Sequence, residues 1–281
     1  MHMTIAELIR ILKINKQKRH TLFLGAGSSL SSGMPTVATC IWLFKKEIFL
    51  SEHPDLIDQD LDISLKIVQD KIQSYLERKN IIPSPNEDDY SYYFRKCYPI
   101  ADSRRAFFQK MVDAANPSYG YRIVPLLFQE RFLCSLWTTN FDTLGARACA
   151  GENIHTIEIG ADCISRFDRE IRKDEFLCVS LHGDYRYDLL RNLPEELQTN
   201  ENKLLEKFSS YISSSSIIVC GYSGRDKCVM SALRKAYVCN NPYSVYWCGY
   251  GENDYNEEVK TFIDDVNKHG GNAYYINTRG F

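Results

Sequence analysis

Several absences narrow this sequence before any motif is considered. No two cysteines stand close together: the ten lie at 40, 97, 134, 149, 163, 178, 220, 228, 239 and 248, and the nearest pair, Cys220 and Cys228, is eight apart. A structural zinc site is usually built on ligand pairs two to four residues apart, so no zinc module and no metal is expected. There is no apolar run near the ~20 residues that a membrane-spanning helix needs. The N-terminal stretch "MHMTIAELIRILKINKQKRH" carries charges through its apolar part, unlike a secretory signal. Cysteines without an export signal read as reduced thiols, several of them in apolar segments, and so as a cytoplasmic protein. Charge of one sign is also missing. The 34 basic and 36 acidic side chains leave a net charge of −2, which gives no general reason for binding nucleic acid. With 44% hydrophobic and 25% charged residues the chain reads as an ordinary globular protein.

What is present is a series of short apolar runs, most followed by a turn and a polar motif. They are "TLFLG" (21–25), "FLCSLWTTN" (132–140), "EFLCVSLHGD" (175–184), "SSIIVCGYSG" (215–224), "YSVYWCGYG" (243–251) and "NAYYINT" (272–278). Helical patterns lie between them, at 37–49, 119–131, 196–213, 226–239 and 256–268. Thr4 and Glu7 stand at capping-box spacing before a further amphipathic helix. Continuous apolar strands alternating with helices predict an α/β fold, a Rossmann-like parallel sheet with helices on both faces. Residues 51–118 interrupt this alternation with two helical stretches around a polar, Pro-containing connection. They read as a helical insertion within one domain spanning 1–281.

In open α/β sheets ligands bind beyond the carboxyl ends of the strands, and four motifs fall there. The first is Gly25-Ala26-Gly27-Ser28-Ser29, with Gly33 and Pro35 following. Glycines let a backbone approach a pyrophosphate, although a plain tight turn uses them too. The third glycine comes three residues later than in G-x-G-x-x-G, and no P-loop Lys-Ser/Thr is present. The second motif is Thr138-Thr139-Asn140-Phe141-Asp142, whose Asn and Asp could enter a ligand cleft or cap a helix. The third is Leu181-His182-Gly183-Asp184, which offers a proton acceptor or a structural histidine. The fourth is Gly221-Tyr222-Ser223-Gly224-Arg225-Asp226, fit for a phosphate or ribose contact or for an ordinary strand-to-helix turn.

Together, in this order, the four resemble the sirtuin pattern G-A-G-x-S-x-x-x-G-x-P, T-x-N-x-D, H-G and G-x-S. The resemblance spans about 20 to 281 without the insertion. It departs from the protein deacylases in two places. Their P-D-F-R is replaced by Pro35-Thr36-Val37-Ala38, and their four-cysteine zinc module has no counterpart. The sequence is most similar in pattern to the divergent sirtuin-like NADase domains of prokaryotic anti-phage defence, which share "TTNFD", "LHGD" and "GYSGRD".

That resemblance implies an NAD+ glycohydrolase, with NAD+ as substrate and nicotinamide and ADP-ribose as products. It implies that Asn140 holds the ribose hydroxyls or the attacking water, that His182 accepts a proton, and that Asp142 stands near the nicotinamide end. Gly25, Ala26, Gly27 and Ser29 would line the pyrophosphate and ribose. Gly221 and Ser223 would bind the phosphate or ribose side, and Asp226 the distal ribose. It further implies a homo-oligomer, regulated by a partner or fused domain such as a HerA-type ATPase, a signalling ATPase or an Argonaute-like protein. In that case the chain could be the N-terminal module of a longer protein. A non-hydrolytic sensor of NAD+ or an ADP-ribose derivative is the alternative, and an NAD+-dependent deacylase a third reading.

Overall fold

The capping box forms as the spacing predicts. The Glu7 N–H donates to Thr4 Oγ1 at 3.2 Å and the Thr4 N–H donates to Glu7 Oε2 at 2.8 Å. It starts helix α1 (Ile5–Ile14), which follows a two-residue strand, β1 (His2–Met3). The computed structural model describes residues 1–14, 20–57, 59, 61–85, 87, 89–182, 194–251, 256–278 and 280–281, the side chains of 101 and 194–201 excepted. Strand β2 (His20–Leu24) is buried along its whole length.

By backbone contacts the chain divides into two compact units, Met1–Met34 with Val112–Phe281, and Pro35–Met111. The second unit is helical. Thr36 caps α2 (Val37–Ser51), its Oγ1 accepting from the Thr39 N–H at 3.0 Å. Helices α3 (Lys66–Arg78), α4 (Asp89–Cys97) and most of α5 (Ala101–Ala114) follow. Phe44 of α2 meets the rings of Tyr90, Phe94, Tyr98 and Phe107, the closest centroid at 4.9 Å. Phe44, Ile48 and Phe49 are buried inside this unit. The helical unit therefore begins with α2, ahead of residue 51. The aromatic residues of α4 serve its core, with Tyr93 1% exposed and Phe94 buried beside it.

In the first unit the chain continues through α6 (Tyr119–Gln129), β3 (Leu133–Thr138), α7 (Leu144–Gly151), β4 (His155–Ile159) and β5 (Glu175–Ser180). Then come α8 (Pro194–Ile212), β6 (Ser216–Cys220), α9 (Lys227–Tyr237), β7 (Ser244–Tyr250), α10 (Glu257–Lys268) and β8 (Asn272–Thr278). The eight strands form one sheet in the order β1-β8-β7-β6-β2-β3-β5-β4. Every pairing is parallel.

Alternate residues of each strand face opposite sides, and both sides are covered. Phe23, Trp137, Leu177, Val179 and Val219 pack in one cluster with Phe208 of α8, Leu233 of α9 and Phe262 of α10. Leu22, Leu24, Leu136, Phe176 and Cys178 pack in another with Tyr121 and Val124 of α6 and Leu144 of α7. Tyr246 and Ile276 meet Leu8 of α1. This is why the strands read as unbroken apolar runs: a parallel strand under two helical layers has no wet face. Removing a side chain such as Phe23 from water contributes about 1.5–3 kcal/mol.

The topology fixes where a ligand site can form. β2 lies at the middle of the sheet. The chain leaves it to build β3, β5 and β4 on one side, then returns to build β6, β7 and β8 on the other. The strand order thus reverses at the β2–β6 border, and crevices at such switch points are where open α/β sheets take their ligands.

Candidate functional site

The loops that leave β2 and β6 are locked to each other. The Gly25 N–H donates to Cys220 O at 3.0 Å, and the Gly27 N–H donates to Gly221 O at 2.8 Å. A Cβ on Gly25 would stand 2.6 Å from Gly221 O, and one on Gly221, whose φ is +64°, would stand 2.2 Å from Ser28 N. Side chains cannot be accommodated at these contacts. The first reason for these glycines is therefore the close approach of one loop to the other. After Gly25 the chain makes a 3-10 turn, Ala26–Ser32, closed by Gly33. Ala26 and Gly27 are exposed, whereas Ser28 and Ser29 are buried.

A second tie runs from β2 to the end of β3. Thr138 Oγ1 donates to Leu24 O at 2.9 Å and accepts from the Asn140 N–H at 2.9 Å. Asn140 Nδ2 donates to Gly25 O at 3.0 Å and to Ser29 Oγ at 2.9 Å. Ser29 Oγ in turn donates to Asp142 Oδ2. Tyr121 OH lies 2.8 Å from Ser29 Oγ and 3.1 Å from Ser28 Oγ. Five polar side chains from the β2 loop, α6 and the β3 end thus form one buried cluster. Burial in turn holds the Asp142 carboxyl above its ordinary range, against the hydrogen bonds from Ser29 and the Leu144 N–H. Burial, followed by the nearness of Asp142, pushes the Tyr121 hydroxyl up as well. The next residue, Thr143, has φ +52°. That left-handed conformation costs a β-branched residue about 1–3 kcal/mol, and it lets Asp142 Oδ1 accept from the Leu144 N–H at the start of α7 at 3.1 Å.

The histidine comes from β5 and its partner from the β6 loop. His182 Nε2 stands 2.9 Å from Asp226 Oδ2. Asp226 also caps α9, with Oδ1 accepting from the Cys228 N–H at 2.8 Å and the Val229 N–H at 3.2 Å. The hydrogen bond with His182 holds the Asp226 carboxyl below its ordinary range, burial working against it. A carboxylate on one imidazole nitrogen fixes the ring and leaves Nδ1 as the other proton-handling atom. The ring of Phe141 stands beside it at 6.5 Å between centroids.

Two cavities open at the carboxyl end of the sheet. The larger, about 800 Å³, lies beyond β6, β7 and β8 and is lined by Gly27, Ser31, Gly221, Ser223, Arg225 and Trp247 among others. That is within the range of small-molecule sites, about 300–1,000 Å³. The smaller, about 110 Å³, lies beyond β3, β4 and β5 and holds Tyr121, Thr138, Asp142 and Ser180. Of the expected contacts, Gly27, Gly221 and Ser223 line the larger cavity. Ser29, expected at the pyrophosphate, is 2% exposed and turns its hydroxyl to Asp142. Asp142, expected near the nicotinamide, is 3% exposed and serves Ser29 and the α7 terminus. Asp226, expected at the distal ribose, stands on His182. Gly183 and Asp184 of the histidine motif lie outside the described residues.

Tyr121 is an addition that motif reading does not supply, while Ser28 and Thr138 stand inside the motifs without an assigned role. Tyr121 falls at an apolar position of α6, and its partner Ser29 is 92 positions away, so no local pattern announces it. Among the described residues no group of three or more His, Cys, Asp or Glu is placed to hold a metal ion. No helix among them is long and apolar enough to cross a membrane.

Residues 135–267, from within β3 to the last turn of α10, match the family model described as SIR2-like domain. The match takes in Asn140, Asp142, His182 and the β6 loop, and it indicates an NAD+-related activity for this domain. The glycine loop after β2 lies before the matched segment and joins it through the hydrogen bonds of Gly25, Gly27 and Asn140. No curated protein matches the chain.

Proposed function

From a SIR2-like domain whose four strand-end motifs meet around one switch point, we propose that this protein hydrolyses NAD+ at the nicotinamide–ribose bond. The observation that carries the reading is the convergence itself. Asn140 is bonded into the glycine loop, His182 is paired with a carboxylate of the β6 loop, and a cavity of about 800 Å³ opens beside both loops.

The chemistry asks little of the protein beyond placement. The pyridinium nitrogen is already cationic, so nicotinamide departs neutral and needs no general acid. The transition state has oxocarbenium character, as in other glycosyl transfers. Orientation of the ribose, exclusion of bulk water and one placed nucleophile supply the rate. Asn140 offers a side chain to the ribose hydroxyls or the attacking water. His182 accepts the proton from the water or a ribose hydroxyl, with Asp226 stabilising the imidazolium that forms. Asp142 and Ser29 act from behind, holding Asn140. Ser223 and Arg225, which line the larger cavity, face the phosphates, where Arg225 offers a paired set of donors.

Hydrolysis rather than deacylation fits the helix that starts at Thr36. The hydroxyl that caps α2 occupies the position where the deacylase pattern has an acidic residue. On this reading the protein depletes NAD+ in anti-phage defence, and assembly or a regulatory partner restrains it, since an unrestrained NAD+ hydrolase is toxic. The test is to incubate the protein with NAD+, alone and with a candidate regulatory partner, and to resolve the products chromatographically. Nicotinamide and ADP-ribose are expected, with turnover lost in Asn140→Ala and His182→Ala. Turnover unchanged from the parent in both variants refutes the assigned roles. Dinucleotide bound and recovered intact under every condition supports a sensor instead.

A further inference from the structure

The hydrogen-bond inventory of the buried cluster assigns a role to a residue outside the four motifs. Gly25 O can only accept, so the Asn140 side-chain atom 3.0 Å from it is the nitrogen. The amide's orientation is thus set by a backbone carbonyl. Its second N–H goes to Ser29 Oγ at 2.9 Å. Ser29 has one proton, which goes to Asp142 Oδ2. Ser29 Oγ therefore takes the Asn140 N–H as an acceptor, and its other lone pair faces Tyr121 OH at 2.8 Å. Ser28 Oγ donates to Gly25 O at 2.7 Å, so its proton is committed too. With both serine protons committed, the Tyr121 hydroxyl is the donor in these contacts, and Ser29 Oγ at 2.8 Å is its nearer acceptor, against 3.1 Å for Ser28 Oγ. Both N–H bonds of Asn140 are committed inward, and Oδ1 is the polar atom it has for a substrate.

We propose that Tyr121 is a positioning residue: its hydroxyl, acting through Ser29, locks the Asn140 amide so that Oδ1 is presented as an acceptor to a sugar hydroxyl. The ring of Tyr121 is 1% exposed and meets Phe281 edge-on at 5.1 Å, so the hydroxyl is held by packing at the start of α6. Without it, Ser29 can turn its oxygen away, and the amide loses one of its two anchors. An amide that flips would present a donor where the sugar hydroxyl needs an acceptor. The role rests on the NAD+ hydrolase reading only for the identity of the sugar. The locking itself is independent of any ligand.

The experiment has two arms on the full chain. Tyr121→Phe removes one oxygen and keeps the ring. In the first arm, selective 15N-asparagine labelling reads the side-chain amide, with the Asn140 signal identified by its loss in Asn140→Ala. Its hydrogen exchange is expected to be at least tenfold faster in Tyr121→Phe than in the parent. An unchanged rate overturns the locking. In the second arm, kcat and KM for NAD+ are measured for the parent, Tyr121→Phe, Asn140→Ala and the double variant. Tyr121→Phe is expected to lower kcat about tenfold with KM within twofold. The double variant is expected to lose no more than Asn140→Ala alone. A merely structural tyrosine would leave kcat intact below the melting transition, or add its loss to that of Asn140→Ala; either result overturns the proposal. Faster exchange in Tyr121→Phe, with a parent that never turns over NAD+, upholds the locking and rejects the hydrolase reading.

Discussion

Replacing Gly221 by alanine tests whether the two loops are truly interlocked. The added Cβ would stand 2.2 Å from Ser28 N and 2.8 Å from the Gly27 carbonyl carbon. Neither is the flexible end of a side chain, so the loops must part. The left-handed φ costs a residue with a Cβ about 1–2 kcal/mol. Parting the loops weakens the Gly25–Cys220 and Gly27–Gly221 hydrogen bonds, each worth about 1 kcal/mol net. The sum is about 3–4 kcal/mol. For a unit of this size a loss of 1 kcal/mol lowers the melting temperature by about 2–4 °C, so a fall of roughly 6–16 °C is expected. Two controls separate the terms. Gly33 has φ +92° with open space around it, so Gly33→Ala carries only the conformational cost of about 1–2 kcal/mol. Gly151 closes α7 with nothing near its Cβ position, so Gly151→Ala should be neutral or slightly stabilising. Thermal melts followed by circular dichroism, at one protein concentration and pH, rank the three. If Gly221→Ala and Gly33→Ala melt together, the loop-packing argument is wrong and only backbone strain matters.

Two further outcomes follow from the ionisable groups. Burial raises the Asp142 carboxyl in the native state, so the native protein holds this proton more tightly than the unfolded chain. The associated stability is fully present below the unfolded carboxyl range and is lost as pH rises through the native value. Asp142→Asn keeps the acceptor for the Leu144 N–H and cannot ionise. Its stability relative to the parent should therefore climb with pH across that window and then level off. Urea titrations at several pH values check this, and a constant difference would refute it. For Asp226, serine retains an oxygen that can cap α9 but not the carboxylate on His182. Asp226→Ser should stay within about 1 kcal/mol of the parent in stability while NAD+ turnover falls at least tenfold, and unimpaired turnover would show that the His182 pairing is idle in catalysis.

The sheet was legible because both of its faces are buried. β2, β3, β5, β6, β7 and β8 each carry an unbroken apolar run, and each ends at a glycine or a polar motif. β1 and β4 were less visible. β1 is two residues long, and β4 is an edge strand whose first residue, His155, is exposed, so neither has a sustained apolar stretch. The helical unit was recognisable by its interrupted pattern, but its first helix was not. α2 looks like any sheet-covering helix until Phe44 is seen among Tyr90, Phe94 and Phe107. At the site, the motifs named the strand ends correctly but not which way each side chain turns. Ser29 and Asp142 look inward because a buried tyrosine hydroxyl and a helix terminus need partners there. That need arises between residues far apart in the chain, and spacing does not encode it.

Asn140 gives the sheet a property of its own. At the last backbone rung from β3 to β2 the Thr139 N–H meets Leu24 O at 3.2 Å; Thr138 Oγ1 bonds the same carbonyl, and one step further on Asn140 Nδ2 bonds Gly25 O. The ladder therefore runs on for one step in a side chain, and the residue proposed to meet the substrate is itself that rung. A loop-borne catalytic group can fray while the fold stays intact. Here the group cannot come loose unless the two central strands begin to unzip at that end. The rate at which the proposed NAD+ hydrolysis is lost on heating should then track the rate of that opening, making its lifetime a direct measure of the kinetic stability of the sheet.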